Sequence, residues 1–222
     1  MVDSEKTSLL RFGADTFWQY CNELALQDET LAGVIGEYGH PPMWSRPNTF
    51  ETLVHIILEQ QVSLASALSA MNKMREKLSE ITPEHILKLT DADYRACYFS
   101  RQKTAYVRSL AWEIVNGRLD LAEFEILRDE DIRTRLTALK GIGNWTVDVY
   151  LIFALQRVDV FPIGDLAAVN AMKRLKSMPV DIARESILAQ AAAWRPYRTI
   201  ATMLLWHYYL SVPRKMKSKL SI

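Results

Sequence analysis

The sequence predicts an all-α fold, and three observations lead to this expectation. Apolar residues recur at the i, i+3, i+4, i+7, i+8 spacing of a buried helical stripe. The clearest example of such a stripe is Phe50, Leu53, Val54, Ile57 and Leu58. Alternating runs long enough for strands are absent, with Val158–Phe161 as the one short candidate, and eight glycines in 222 residues disfavour an all-β chain. We expect roughly ten short helices.

Turn residues mark where these helices begin and end. Gly39–Pro42 closes an N-terminal helical segment, and the next helix begins near Thr49. In Thr82–Glu84 a capping threonine precedes a proline at the first helical position. Gly117 ends one helix, and Gly141–Gly143 joins two others. The remaining stripes predict helices over residues 9–26, 64–78, 104–116, 145–156, 167–175, 182–193 and 197–210.

Composition excludes several classes of protein. The chain is 49% hydrophobic and 24% charged, a balance typical of globular rather than disordered proteins. No apolar run approaches the ~20 residues of a membrane span, and the first residues lack the pattern of a secretory signal. Cys21 and Cys97 are too few for a disulfide framework, a zinc cluster or an iron–sulfur site. We therefore expect a soluble intracellular protein without a structural metal.

The charge distribution allows a polyanionic partner. The net charge of +1 would by itself argue against one. However, residues 1–60 carry six more acids than bases, whereas residues 186–222 carry six bases and no acid. Such a chain can present a basic surface to phosphate groups while staying near neutral. Residues 213–222 are expected to form a solvated basic tail.

A glycine-containing turn at Leu139–Asn144 is the most informative motif. Glycine permits a positive φ and lacks the Cβ atom that would keep another backbone at a distance. The amides from Gly143 onward lie at a helix N-terminus, where peptide dipoles favour an anion such as phosphate, and Ile142 can anchor the turn in the core. Taken alone, the motif also fits a simple helix–helix connection.

Asp165 and three tryptophans form the second group of candidates. Asp165 precedes a predicted helix, so it fits a helix cap worth about 1 kcal/mol as well as a carboxylate acting on a nascent cation. Trp145, Trp194 and Trp206 lie in the turn segment and in the C-terminal segment. Aromatic residues on apolar helix faces are usually core residues, so both interpretations stay open here.

Together these segments resemble the helix-hairpin-helix (HhH-GPD) DNA glycosylase superfamily, most closely its alkylbase branch, the 3-methyladenine DNA glycosylase II family. The resemblance covers about residues 45–210, and Asp165 lies 22 residues beyond Gly143, where the family carries its catalytic aspartate. The blocks that carry it are Thr49–Ser63, Leu139–Thr146, Val160–Leu166 and Trp194–Trp206.

The resemblance implies a two-lobed helical fold with DNA bound in the cleft between the lobes. Residues 1–45 and the C-terminal helices would form one lobe, and about 65–175 the hairpin lobe. The implied activity is base excision repair, in which the N-glycosidic bond of alkylated purines (3-methyladenine, 7-methylguanine, ethenoadenine) is hydrolysed after base flipping. The implied partner is double-stranded DNA with alkylated bases and no membrane. A monomer is expected, cytoplasmic and nucleoid-associated in a bacterium or nuclear in a eukaryote.

The resemblance also assigns roles to individual residues. Asp165 is implied as the catalytic carboxylate, Trp206 as the aromatic that stacks on the flipped base, and Trp145 as a wall of the base pocket. Gln61 lies in the loop that fills the gap left in the duplex. Further DNA contacts are implied for Lys140, Gly141, Ile142, Gly143 and Thr146. A Na⁺ or K⁺ ion on the backbone carbonyls of Leu139 and Asn144 is the only cofactor implied.

One departure from the superfamily bears on the chemistry. Members that also cut the DNA strand carry a lysine two residues after the second glycine of the hairpin, where this chain has Trp145. An indole cannot form the Schiff base that strand cleavage requires, so we expect a monofunctional glycosylase. Two alternatives stay open: a non-catalytic DNA-binding module, which would not need Asp165, and a glycosylase for another lesion such as uracil or hypoxanthine.

Overall fold

The computed structural model describes residues 9–212, and all regular secondary structure in this range is helical. The all-α prediction is therefore confirmed. Val158–Phe161 forms no strand; an isolated antiparallel bridge pairs Arg11 with Arg157 instead. The described helices are α1 (Phe17–Gln27), α2 (Glu29–Tyr38), α3 (Phe50–Glu59), α4 (Leu64–Lys77), α5 (Pro83–Lys88), α6 (Asp91–Ala96), α7 (Arg101–Val115), α8 (Asp129–Thr137), α9 (Asn144–Phe153), α10 (Leu166–Leu175), α11 (Arg184–Ala192) and α12 (Arg198–Ser211), with a 3₁₀ turn at Glu123–Glu125.

Side-chain caps explain several of the helix starts. Thr49 and Thr82 each accept a hydrogen bond from the backbone N–H three residues on, at the starts of α3 and α5, as predicted. The N-terminal helix begins at Phe17 and not at residue 9, so the predicted start was wrong. The reason is a turn in which Gly13 donates its N–H to Thr16 Oγ1 at 3.0 Å and accepts from the Phe17 N–H at 2.9 Å.

The chain divides into two compact units. Unit 1 contains the described residues up to Ser45 and those from Gln156 onward, and unit 2 is Arg46–Leu155. These bounds differ from the 65–175 expected for the hairpin lobe, because α3 packs on α4, α7 and α9 in unit 2 while α10 packs on α12 in unit 1. The crossing after Ser45 lies in the proline-containing segment between Pro41 and Pro47 and agrees with the expected limit of residues 1–45, whereas no proline or glycine marks the crossing after Leu155. The expected basic tail, 213–222, lies outside the described residues.

A buried polar cluster ties unit 1 together. Asp28 caps α2 by accepting from the backbone N–H groups of Thr30 and Leu31. It also accepts from Lys176 Nζ at 2.6 Å and from Trp194 Nε1 at 2.7 Å. Trp194 is 1% exposed and packs near Phe161 in the core, so its role is structural. The cluster fixes α2, the end of α10 and the segment before α12 to one another.

Replacing Asp28 with alanine is expected to lower the free energy of unfolding by about 2–3 kcal/mol, because Lys176 and Trp194 would lose a buried, charged acceptor. Burial alone would raise the pKa of Asp28, but hydrogen bonds from Lys176, Trp194 and Leu31 outweigh it and lower the pKa. The stabilisation is thus complete above the pKa of the unfolded chain, about 4, and is lost as the pH falls through the lower folded value. Urea unfolding of both proteins between pH 7 and pH 3 measures this. If the free energy of unfolding of the variant fell with pH as steeply as that of the wild type, the prediction would be contradicted.

Unit 2 is built around α3, which is buried on nearly all sides. Leu53, Val54, Ile56 and Ile57 are fully buried there. At the end of α3, Lys103 on α7 donates from Nζ to the Leu58 carbonyl at 2.6 Å. α3 is therefore a rigid base for the residues that follow it.

None of the helices within residues 9–212 combines the length and apolar character needed to cross a membrane.

Candidate active site

The hairpin joins α8 to α9 through a turn that requires glycine at one position. Gly141 has a φ of +87°, as the motif predicted, and a Cβ atom placed on it would lie 2.1 Å from the ring of Tyr106. Ile142 is buried, as expected, and its N–H donates to the Leu139 carbonyl at 3.1 Å. Both strain and space therefore exclude larger residues at position 141.

At Gly143, by contrast, the backbone and the surrounding space do not require glycine. Its φ of −102° and ψ of 177° are open to any residue, and a Cβ atom there would meet nothing within 4 Å. It is exposed and caps α9 without a side-chain hydrogen bond. The first N–H groups of an α-helix have no acceptor within the helix, so this end of α9 can receive an anion that approaches the backbone closely.

A residue that the sequence interpretation did not assign holds this turn. Gln60, the residue after α3, donates from Nε2 to the Gly141 carbonyl and to Thr146 Oγ1, each at 2.9 Å. Thr146 is 1% exposed and its hydroxyl faces Gln60, so its side chain is not presented to solvent; the DNA contact implied for this residue stays a prediction. Gln60 stood in the matched block beside Gln61, but that block alone gave it no role.

The other hairpin candidates lie on the surface or at the ends of the turn. Lys140 and Gln61 are exposed, and Gln61, the second residue after α3, adopts a φ of +56°. Asn144 is exposed and accepts from Arg133 Nη1 at 3.1 Å through Oδ1. The same guanidinium pairs with the buried Asp148 carboxylate at 2.6 Å, which links α8 to α9.

In unit 1, Asp165 and Trp206 form a hydrogen-bonded pair. Asp165 caps α10 by accepting from the Ala168 N–H at 2.9 Å, and the same oxygen, Oδ1, accepts from Trp206 Nε1 at 2.9 Å. Both side chains are half-buried. The capping role considered for Asp165 is therefore real, and it holds the carboxylate in a fixed orientation beside an indole. Only the family resemblance linked these two residues, which are 41 positions apart.

Trp145, the third aromatic candidate, lies in the first turn of α9 in unit 2 and is half-buried.

Two polar residues near these candidates in the sequence, to which the sequence analysis assigned no role, have structural contacts. Tyr150 is fully buried and donates from its hydroxyl to Asn48 Oδ1, and His207 Nε2 lies 3.0 Å from the Tyr38 carbonyl. Within the described range, no group of three or more His, Cys, Asp or Glu side chains could hold a metal ion.

Comparison with known proteins places this geometry in a family. Residues 54–196 match the HhH-GPD superfamily of base excision DNA repair proteins, a span of more than half the chain. The chain belongs to this superfamily. The match begins within α3 and ends just before α12, so it contains Gln60, the hairpin and Asp165.

Individual HhH-GPD relatives are named for alkylated bases. DNA-3-methyladenine glycosylase 1 of Schizosaccharomyces pombe is 31% identical over 180 residues, which cover 79% of this chain and 79% of that protein. The Bacillus subtilis protein YfjP, a candidate DNA-3-methyladenine glycosylase, is 30% identical over 185 residues, covering 80% of this chain and 64% of YfjP. The chain thus spans slightly less than two thirds of YfjP. Among solved structures, S. pombe 3-methyladenine DNA glycosylase (Mag1) in complex with abasic DNA matches with a TM-score of 0.76 at 30% identity, covering 85% of this chain and 95% of that one.

Proposed function

We propose that this HhH-GPD protein is a monofunctional DNA glycosylase that removes alkylated purines from double-stranded DNA. Its first substrate would be 3-methyladenine, followed by 7-methylguanine and ethenoadenine. The observation that carries the proposal is the Asp165 carboxylate held against the Trp206 indole, because this pair offers a negative oxygen and an aromatic surface side by side.

Trp206 would select the damaged base by stacking. A base inside a duplex must first be turned out of the helix, at a cost of a few kcal/mol. Stacking on an indole returns roughly 1–3 kcal/mol, and a cationic alkylated purine gains about 0.5–2 kcal/mol more from the ring quadrupole than a neutral base does. Selection of this kind needs no specific hydrogen-bond pattern, so one pocket would accept several lesions.

Asp165 would stabilise the sugar as the bond breaks. The cationic base leaves with the electron pair of the glycosidic bond, and water adds to the sugar carbon with loss of a proton. A carboxylate about 4 Å from the developing cation contributes about 4 kcal/mol at an effective dielectric of 20, or roughly 10³ in rate. The hydrogen bonds from Ala168 and Trp206 fix one oxygen, which keeps the carboxylate oriented before the charge develops.

The hairpin would supply most of the sequence-independent affinity. The amide groups at the start of α9 would receive a DNA phosphate close to Gly143, with Lys140 adding a positive charge nearby. The Leu139 carbonyl accepts from the Ile142 N–H at 3.1 Å, whereas the Asn144 carbonyl accepts within α9 and also from Arg133 at 3.5 Å. Of the two carbonyls implied for a monovalent cation, that of Leu139 therefore has the freer oxygen, and a cation there would neutralise charge beside the phosphate.

The absence of strand cleavage is part of the proposal. Trp145 occupies the position where strand-cutting members carry a lysine, and an indole nitrogen cannot form a Schiff base with the sugar. The product would therefore be free base and an intact abasic strand.

An assay with five duplexes tests lesion range and strand cleavage together. Duplexes containing 3-methyladenine, 7-methylguanine, ethenoadenine, hypoxanthine or uracil are incubated with excess protein, and free base and nicked strand are measured separately. We expect release of the alkylated purines, with nicks only after alkali treatment. Release of uracil or hypoxanthine alone would favour a glycosylase for another lesion, and nicks without alkali would contradict the monofunctional assignment.

A further inference from the structure

Two side chains from outside the hairpin contact its turn, Gln60 through hydrogen bonds and Tyr106 through its ring. The single amide of Gln60 donates both of its N–H groups, one to the Gly141 carbonyl in the turn and one to the Thr146 hydroxyl in the first turn of α9. These two acceptors lie on either side of Gly143. The distance between the turn and the N-terminus of α9 is therefore set by one planar group.

The ring of Tyr106 on α7 also lies directly against Gly141. A Cβ atom on Gly141 would be 2.1–2.2 Å from three ring carbons, so the backbone of the turn packs on the ring itself. Gln102, one helical turn earlier, donates from Nε2 to the Tyr106 hydroxyl and holds the ring in place. A rigid aromatic surface thus limits movement of the turn toward α7.

We propose that Gln60 and Tyr106 are positioning residues that hold the hairpin in its phosphate-binding geometry, with Gln60 also linking the hairpin to the adjacent exposed residue Gln61. This inference rests on the proposed DNA binding through the hairpin. Gln61 follows Gln60 directly and is fixed in a left-handed conformation, so the residue expected to fill the gap in the duplex starts from a backbone that the hairpin itself anchors. Neither Gln60 nor Tyr106 touches the reacting atoms in this account.

Replacing Gln60 with methionine tests the hydrogen bonds without changing size or charge. The Gly141 carbonyl and the Thr146 hydroxyl would lose their donor, and the turn would be free to shift relative to α9. We expect affinity for an undamaged duplex to fall about tenfold. The negative slope of the logarithm of the association constant against log[salt] should become shallower by about 0.9, the effect of one lost phosphate contact. The rate of base release at saturating protein should stay within about threefold.

The control is the same substitution at Gln19, an exposed residue on α1 whose amide contacts Glu23 in its own helix. This variant should keep wild-type affinity and salt slope. Tyr106→Leu removes the aromatic surface and should weaken affinity in the same way, so the inference is tested even if Gln60→Met does not fold. Circular dichroism confirms that each variant is folded before binding is measured.

Unchanged affinity and salt slope in a folded Gln60→Met or Tyr106→Leu variant would overturn the inference and leave these residues with a purely structural role. Because undamaged DNA is the probe, the result does not depend on base release. If the wild-type chain binds DNA but releases no base, the proposed glycosylase activity fails while the positioning roles can still hold.

Discussion

Asp165→Asn is expected to reduce the release of methylated purines about 10³-fold and to change the affinity for DNA only a few-fold. Asparagine keeps the size of the side chain, and its carbonyl oxygen can still accept from the Ala168 and Trp206 N–H groups. The cap of α10 should therefore survive, and only the negative charge beside the sugar is lost. Single-turnover release of 3-methyladenine measures the effect, with binding to the same duplex measured in parallel.

Asp181→Asn is the matched control for this prediction, because Asp181 is an exposed aspartate of the same unit. It should release base at the wild-type rate. An Asp165→Asn protein that releases base as fast as this control would remove Asp165 from the mechanism.

Replacing each hairpin glycine with alanine should affect a different property: the stability of the fold at position 141 and the affinity for DNA at position 143. Gly141→Ala forces a methyl group into the Tyr106 ring at a φ of +87°, so we expect the free energy of unfolding to fall by about 2–5 kcal/mol. Gly143→Ala meets no neighbour and has an ordinary φ, so its stability should stay within about 1 kcal/mol of the wild type. Its methyl group, however, stands where a phosphate would approach, and DNA binding should weaken.

Urea unfolding and binding to an undamaged duplex, measured on both glycine variants, separate the two effects. Equal losses of stability in Gly141→Ala and Gly143→Ala would show that the turn is not constrained as described. Unchanged DNA affinity in Gly143→Ala would place the phosphate elsewhere.

Local patterns in the sequence predicted the helix features that depend on residues close together in the chain. The stripe of α3, the start of that helix near Thr49 and the threonine cap at Thr82 involve residues three or four apart, so they were readable directly. The start of α1 was missed because a turn between Gly13 and Thr16 replaces the first helical residues, and the apolar spacing there carries no sign of it.

Contacts between distant residues could not be predicted in this way. Gln60 meets its two acceptors 81 and 86 positions away, and Asp28 meets Lys176 and Trp194 148 and 166 positions away. No spacing rule links such residues, because their pairing depends on how whole helices pack. The family resemblance supplied Asp165 and Trp206 as candidates, but only the structure gave their hydrogen bond and the buried position of Thr146.

The central claim is that this chain breaks a glycosidic bond and does not merely hold DNA. The most direct measurement follows radiolabelled methyl groups in a methylated duplex incubated with excess wild-type protein, separating free base from DNA over time. We expect 3-methyladenine to appear in the soluble fraction in a single exponential phase. A protein that binds the duplex tightly while all label stays with the DNA would contradict it, and would leave a DNA-binding module as the function.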